Sequence, residues 1–336
     1  MNITINNIAR LANVSRTTVS RVLNNRPDVN SETREKVLEI IKEYDFYPSV
    51  FAKGNKTKKI NTLGLIIPYE YNSVFTNPFY SEVIRGILAE AACAGYYILN
   101  CSHRPNNDYI SMFKQKRVEG FIILSPNADN YELFEKFNDA NIPHVATAKI
   151  PNAKSLNYVD VDNSYGAMLA VDHLVSLGHR RIAVITGPKV LVSHEDRLSG
   201  YKYGLLKNAL PYQGQYIKFG DNSIESGFAS TLELLALEDR PTAFFAAADM
   251  MAIGAIKALR SAGLTVPETF SVVGFDDIPI AEHIDPPLTT VGQPASQKGS
   301  EACRRLIQYL ENGSPIKTGI LPVELKIRKS TGPVRE

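Results

Sequence analysis

Short apolar runs alternate with longer amphipathic ones from Thr62 to Phe275, and no other feature restricts the fold of this chain as strongly. Thr62-Leu63-Gly64-Leu65-Ile66-Ile67-Pro68 reads as a buried strand. A helix is predicted over 77–94, with Asn77 as its cap and Pro78 at its first position. Strand 97–101, helix 110–117, strand 121–125, helix 131–138 and strand 144–148 continue the series. This β-α-β-α order predicts a doubly wound, largely parallel sheet.

The series restarts near Tyr158–Asn163. Helix 166–177, strand 182–186, helix 197–208, strand 216–219 and helix 226–235 are expected, then strand 243–247, helix 250–262 and strand 271–275. Two successive series suggest two similar lobes with a cleft between the carboxyl ends of their strands. The chain is expected to cross between the lobes in ordinary loops near 160, 290 and 323.

The first sixty residues follow a different rule. Ile5 to Ala12 reads as a short helix with Ile5, Ile8 and Leu11 or Ala12 on one face. Asn13-Val14 makes a turn, and Ser15 is a good N-cap for a second helix running from Arg16 to Asn24. Val19, Val22 and Leu23 face inward there, leaving Arg16, Thr17, Ser20 and Arg21 on the other side. A third helix starts near Asn30 or Ser31 and runs through Val37, Ile40, Ile41 and Tyr44. Three short helices with a tight first turn form a helix-turn-helix, which lays its second helix in the DNA major groove. Arg bonds a guanine edge in two places there, and Thr bonds a base or touches a thymine methyl. Thr4, Ser15, Arg16, Thr17, Ser20, Arg21 and Asn24 are the expected DNA contacts of this unit. A small helical interaction domain with a solvated Arg/Thr/Ser face is the other reading.

Charge separates the two parts. Residues 1–60 carry 11 Lys/Arg against 6 Asp/Glu, and the remainder carries 26 against 29. A basic head on a mildly acidic body suits a polyanion. Pro48 ends the third helix, and the segment from Ser49 to Ile60 carries Lys53, Lys56, Lys58 and Lys59. It reads as a basic hinge suited to phosphates or a minor groove, with Lys53, Asn55 and Lys56 as contacts, or as a plain solvated tether. Domains are therefore expected at 1–48 (helix-turn-helix), 49–60 (hinge) and 61–336. Within the last, one lobe takes about 61–160 plus 292–323, the other about 161–291 plus 324–336.

The three cysteines, Cys93, Cys101 and Cys303, form no C-x-x-C pair, which argues against a disulfide framework or a zinc site. The N-terminus lacks an apolar stretch of signal-peptide length, and no apolar run is long enough to span a membrane. A cytoplasmic location at the nucleoid follows as the expectation.

Ordered motifs along the chain resemble the lactose/galactose/purine repressor family. The most specific is the run from Asn13 to Asn24, followed by Thr33-Arg34 and Tyr47-Pro48. Later matches are Asn77-Pro78-Phe79, His173-Leu174 with Leu177-Gly178-His179, Arg197-Leu198-Ser199-Gly200, Asp249 to Gly254, Ser271 to Asp277 and Pro287 to Val291. The resemblance implies a helix-turn-helix joined to a two-lobed, periplasmic-binding-protein-like α/β domain, acting as a homodimer on a palindromic operator. It implies base reading at Arg16, Thr17 and Arg21, a hinge that folds on DNA, and a small-molecule effector between the lobes. Two departures stand out. Where the family hinge reads Ala-Arg-x-Leu with the Leu as a minor-groove wedge, this chain has Ala52-Lys53-Gly54-Asn55. The leucine-repeat tail of tetrameric members is missing, so a dimer is expected.

Candidate effector contacts are Tyr69, Phe79, Lys149, Arg197, Asp249, Phe275 and Asp276. A guanidinium at 197 grips two hydroxyls or an anion in a fork; otherwise it makes a surface ion pair at a helix start. Asp276 follows a buried strand where a carboxylate suits paired sugar hydroxyls, or else it shapes a turn with Asp277. Asp249 contacts ligand or caps the helix after it. Phe79 and Phe275 stack on a sugar ring or belong to the core, and Tyr69 and Tyr71 follow the first strand. Lys149 stands where relatives often place Asp or Arg, which points to an acidic or phosphorylated ligand. A sugar is the favoured effector, with a purine or sugar phosphate acting as corepressor the alternative.

No G-x-G-x-x-G, G-x-x-x-x-G-K-[ST], G-x-S-x-G or H-E-x-x-H occurs, and the six histidines show no metal spacing, so neither an enzyme nor a cofactor is expected. A transport-type solute-binding protein would share the lobes, but it leaves the basic head unexplained.

Overall fold

The computed structural model describes residues 4–23, 26–44, 59–67, 74, 76–102, 108–126, 130–149 and 157–335. The chain forms two compact units, Met1–Ile60 and Asn61–Glu336.

In the first unit, α1 (Ile5–Ala12) starts at Thr4, whose hydroxyl accepts from the Asn7 amide while the Asn7 side chain accepts from the Thr4 amide. This reciprocal cap satisfies two donors that the helix start leaves open. Asn13 takes the left-handed conformation, φ 54°, and turns the chain. The Ser15 hydroxyl then accepts from the Thr18 amide at 3.0 Å and opens α2 (Arg16–Leu23). Asn30 does the same for Thr33 at the start of α3 (Ser31–Glu43). Ile8, Val19 and Val37, one from each helix, are fully buried together. Ala12 takes the inward position at the end of α1, and Leu11 stays exposed.

The second unit holds two doubly wound layers. In the first lobe, β1 (Thr62–Ile67), β2 (Tyr97–Ser102), β3 (Phe121–Ile123) and β4 (His144–Ala146) form a parallel sheet in the order β2-β1-β3-β4. Helices α4 (Pro78–Cys93), α5 (Tyr109–Lys114) and α6 (Tyr131–Asp139) connect them. Asn77 caps α4 by accepting from the Phe79 amide, with Pro78 at the first position.

The crossing near 160 is a strand and not an ordinary loop: β5 (Val159–Val161) leads into α7 (Asn163–Ser176). The second lobe then builds β6 (Ile182–Thr186), α8 (Val192–Lys207), β7 (Ile217–Phe219), α9 (Ile224–Leu235), β8 (Ala243–Ala246), α10 (Asp249–Ser261), β9 (Ser271–Asp276) and β10 (Thr289–Gly292). The chain returns to the first lobe as α11 (Ala295–Asn312), crosses back as β11 (Gly319–Leu321) and adds β12 (Glu324–Lys326). The second sheet runs β12-β10-β9-β8-β6-β7, with only β12 antiparallel. The crossings at 160 and 320 pair with each other in parallel, β5 with β11. Backbone spanning two lobes has no sheet of its own, and the two strands supply each other's partners.

Helix α8 starts at Val192, five residues before the expected Arg197. No side chain caps it, so the sequence carries no start signal there. Helix α11 packs on α4 nearly backbone to backbone. A Cβ at Gly86 would fall 1.9 Å from the Ser296 carbonyl oxygen, and one at Gly299 would fall 2.0 Å from that of Val83. This close seating fixes where the α11 side chains enter the space between the lobes.

Candidate functional site

Arg197 organises the space between the lobes. It lies in the second turn of α8, facing inward at 5% exposure, and not at a surface helix start. Its Nε donates to Asn163 Oδ1 at 2.9 Å and its Nη1 to the Ala247 carbonyl at 2.6 Å. The guanidinium lies 3.7 Å above the centre of the Phe275 ring, and Nη1 reaches Asp276 Oδ1 at 3.5 Å.

Asp276 ends β9 with φ 129°, a conformation that side-chain-bearing residues rarely adopt, and Asp277 follows at φ 57°. Such strain persists only where the surroundings hold it. Here Gln293 Nε2 donates to Asp276 Oδ1 at 2.6 Å. Burial pushes the Asp276 carboxyl up to about 6, against the opposing pull of Arg197.

From the other side, α11 inserts Lys298. Its Nζ donates to Asp160 Oδ1 at 2.7 Å and sits 5.7 Å from the centre of the Phe79 ring. Asp160 also accepts from the amides of Val161 and Lys149 and, at 3.4 Å, from Asn163 Nδ2. A continuous buried chain therefore runs Lys298–Asp160–Asn163–Arg197–Asp276–Gln293. It joins α11 of one lobe, the β5 crossing, and α8 and β9 of the other.

His194 lies on the same wall. Its Nδ1 accepts from the Gly187 amide at 3.2 Å, which places the ring proton on Nε2. Burial, then the Arg197 charge, hold it neutral well below the usual histidine range. Asn222 Oδ1 and Gln293 Oε1 are buried without a partner. Asn222 lines the cavity together with Tyr80 and Ser125 of the first lobe. The free cavity is only about 30 Å³, lined by Phe79, Arg197, Asp276 and Lys298 among others. That space holds a water or two, so a larger ligand has to part these groups.

Three expected contacts lie elsewhere. Phe275 is fully buried and serves as the floor under Arg197 rather than as a lining ring. Asp249 is turned away: its Oδ1 accepts from the Thr290 hydroxyl at 2.5 Å and its Oδ2 from the Ile278 amide at 2.9 Å. This carboxylate is fully buried on two donors of its own lobe, joins strands and does not line the cavity. Lys149 does not line the cavity around Arg197: its Nζ lies 3.9 Å from Asp196, and it shares a neighbouring hollow with Asp160, Asp162 and Asn163. Tyr69 and Tyr71 lie outside the described residues. Lys298, Asn222 and His194 on the cavity wall, and Gln293, Asp160 and Asn163 in the buried chain, were not among the residues expected from the sequence. Among the described residues no group of His, Cys, Asp and Glu could hold a metal ion, and no helix is long and apolar enough to cross a membrane.

In the first unit, Arg16, Thr17 and Arg21 are exposed on α2, Ser20 is half-buried, and Val19 and Val22 hold the helix from behind. Arg21 lies 3.5 Å from Asp28 in an exposed pair, which a phosphate or base can replace at little cost. The hydroxyls of Thr4 and Ser15 are engaged in helix caps. Asn24, Lys53, Asn55 and Lys56 fall outside the described residues.

Residues 4–49 match the model of bacterial regulatory proteins of the lacI family, and residues 171–331 match a periplasmic-binding-protein-like domain. The transcriptional regulator CelR of Thermobifida fusca is 33% identical over 97% of this chain and 98% of its own length. Catabolite control protein A of Priestia megaterium is 35% identical over 98% of this chain and all of its own. The chain belongs to the LacI family. It is a helix-turn-helix DNA-binding transcription regulator. A lac repressor dimer bound to operator and an anti-inducer superposes with a TM-score of 0.87 at 30% identity, covering 99% of this chain and 100% of that one. A CelR–cellobiose complex superposes with a TM-score of 0.75 at 32% identity, covering 98% and 99%. The doubly wound lobes and the helical head are thus those of LacI-family regulators.

Proposed function

We propose that this LacI-family regulator binds a palindromic operator as a homodimer, and that a small neutral sugar held between its lobes sets its operator affinity. It acts on nucleoid DNA in the cytoplasm, represses carbohydrate-utilisation genes and has no catalytic role. Helix α2 reads bases through Arg16, Thr17 and Arg21, and the segment 49–60 serves as the hinge.

The observation that carries the effector reading is the buried chain from Lys298 to Gln293. Arg197, Asp276 and the free oxygens of Gln293 and Asn222 offer donors and acceptors in alternation, as a polyhydroxylated ring requires. The charge balance decides the class. Lys298 has Asp160 at 2.7 Å and Arg197 has Asp276 at 3.5 Å, so neither cation awaits an anion. A sugar phosphate would bring two negative charges to a site already neutral by its own pairs. The crystallised CelR–cellobiose complex is consistent with this reading.

The cleft residues come from both lobes, so a ligand that parts Phe79 and Lys298 of the first lobe from Arg197 and Asp276 of the second favours a different lobe arrangement. Linkage then transmits that preference to the heads. Calorimetric titration with neutral sugars, sugar acids and sugar phosphates tests the class. A neutral sugar bound by the natural protein and lost in Arg197→Ala supports it; preferential binding of a phosphate overturns it.

A further inference from the structure

Beside the cleft, the second lobe carries another hollow of about 260 Å³. It lies at the carboxyl ends of β6 and the edge strand β7, the face that borders the cleft. His194 lines both spaces. Gly187 stands at the same wall: a Cβ there would fall 2.5 Å from the His194 ring and 2.5 Å from Asn222 Oδ1. His194 is thus shared by the two spaces, with Gly187 on the side of the hollow and Asn222 on the side of the cleft.

The hollow has the makings of a sugar platform. Phe219 ends β7 and is 48% exposed, although the Lys189 ammonium lies 4.4 Å from its ring centre. Leu198 and Gly187 add apolar wall, and Lys189 and Glu195 stand exposed at the rim. An aromatic face for the C–H side of a pyranose, with charged groups for its hydroxyls, is the usual chemistry of a saccharide subsite. Phe219 is not part of the buried core of its lobe.

We propose that Lys189, His194 and Phe219 form a second subsite, continuous with the cleft, that takes the second ring of a disaccharide effector. The inference rests on the sugar reading of the cleft. His194, with its proton on Nε2, stands between the two rings and donates to the oxygen that links them or to a hydroxyl beside it.

The test is calorimetric titration of the full-length protein, and of Phe219→Ala and Phe219→Tyr, with glucose, galactose, cellobiose, maltose and lactose. The expected result is that at least one disaccharide binds about tenfold more tightly than its monosaccharides. Phe219→Ala brings that dissociation constant back to the monosaccharide level, and Phe219→Tyr keeps the gain. Monosaccharide binding with no disaccharide gain, or a gain that survives Phe219→Ala, overturns the subsite and leaves the sugar cleft standing. No binding of any of the five sugars overturns the sugar reading and the subsite with it.

Discussion

Arg197 and Asp276 face each other at 3.5 Å across the cleft wall, and each is held by a closer partner than the other. Arg197 Nη1 is 2.6 Å from the Ala247 carbonyl, and Asp276 Oδ1 is 2.6 Å from Gln293 Nε2. At 3.5 Å the pair keeps its charge attraction while its direct hydrogen bond is weak. Two buried groups placed this way can turn to a ligand hydroxyl without first losing a strong bond to each other.

Arg197→Lys is therefore expected to fail as a substitute. Lysine cannot lie flat on Phe275 and still reach Asn163, Ala247 and Asp276 together. Effector binding should fall by about a hundredfold, the equivalent of about 2.7 kcal/mol. Calorimetry with the cognate sugar measures this, and near-natural affinity would show that the fork is not the grip.

Lys298 and Asp160 are a buried pair in which each residue needs the other. Lys298→Ala should cost about 3–5 kcal/mol by leaving Asp160 charged and buried. The double change Lys298→Met with Asp160→Asn should recover most of that loss. Chemical denaturation of the three proteins is the check, and equal losses in single and double variants would contradict it.

Asp249 gives the large unit a pH signature. Burial, with the Asp276 charge beside it, pushes its carboxyl up to about 7. A carboxyl raised in the folded state binds protons that the unfolded chain releases, so this group lowers stability as pH rises from about 4 toward 7. Burial lowers His144, His173, His179 and His194, and these act in the opposite sense. Asp249→Asn isolates the carboxyl. Its stability relative to the natural protein should improve between pH 5 and pH 8, by about 1.4 kcal/mol for each tenfold change in proton affinity. A difference independent of pH would rule this out.

On the DNA side, Arg16→Ala should weaken operator binding by about 1–3 kcal/mol and relax sequence preference at one base pair. The exposed position of Arg16 predicts no change in folding stability beyond about 0.5 kcal/mol. Binding assays on single-base operator variants distinguish this from a phosphate contact, which would weaken all sites alike.

In the hinge, Asn55→Leu should tighten operator binding. It restores an apolar wedge of the kind minor-groove binders insert between base steps, next to a Gly54 that disfavours helix by about 1 kcal/mol. Affinity unchanged or weakened, measured at fixed salt, would count against a wedge role for position 55.

Much of this was legible in the chain because the signals were local. Asn77 with Pro78 and Ser15 with the turn after it mark helix starts within four residues, and each forms the expected cap; the equally local Thr4–Asn7 cap was not anticipated. Asp276 stood out at the end of an apolar run, and Arg197 by its place in a motif that resembles the repressor family. What escaped was non-local. Lys298 meets Asp160 from 138 residues away, on a helix beyond the alternating series. Asp249 read as a ligand contact or as the cap of the helix after it. Its true partner, Thr290, lies 41 residues on, in a strand the alternation did not include. Lys149 carried a charge at the expected strand end, yet side-chain direction is settled by packing, and it turns to Asp196.

The most direct test is operator affinity with and without sugar, measured for the natural protein and for Arg197→Ala. The operator comes from selection on a random duplex pool. One palindrome should be bound by both proteins, with a single neutral sugar changing affinity at least about tenfold in the natural protein and not in the variant. Failure to enrich any palindrome, or a sugar response that survives in Arg197→Ala, would contradict it.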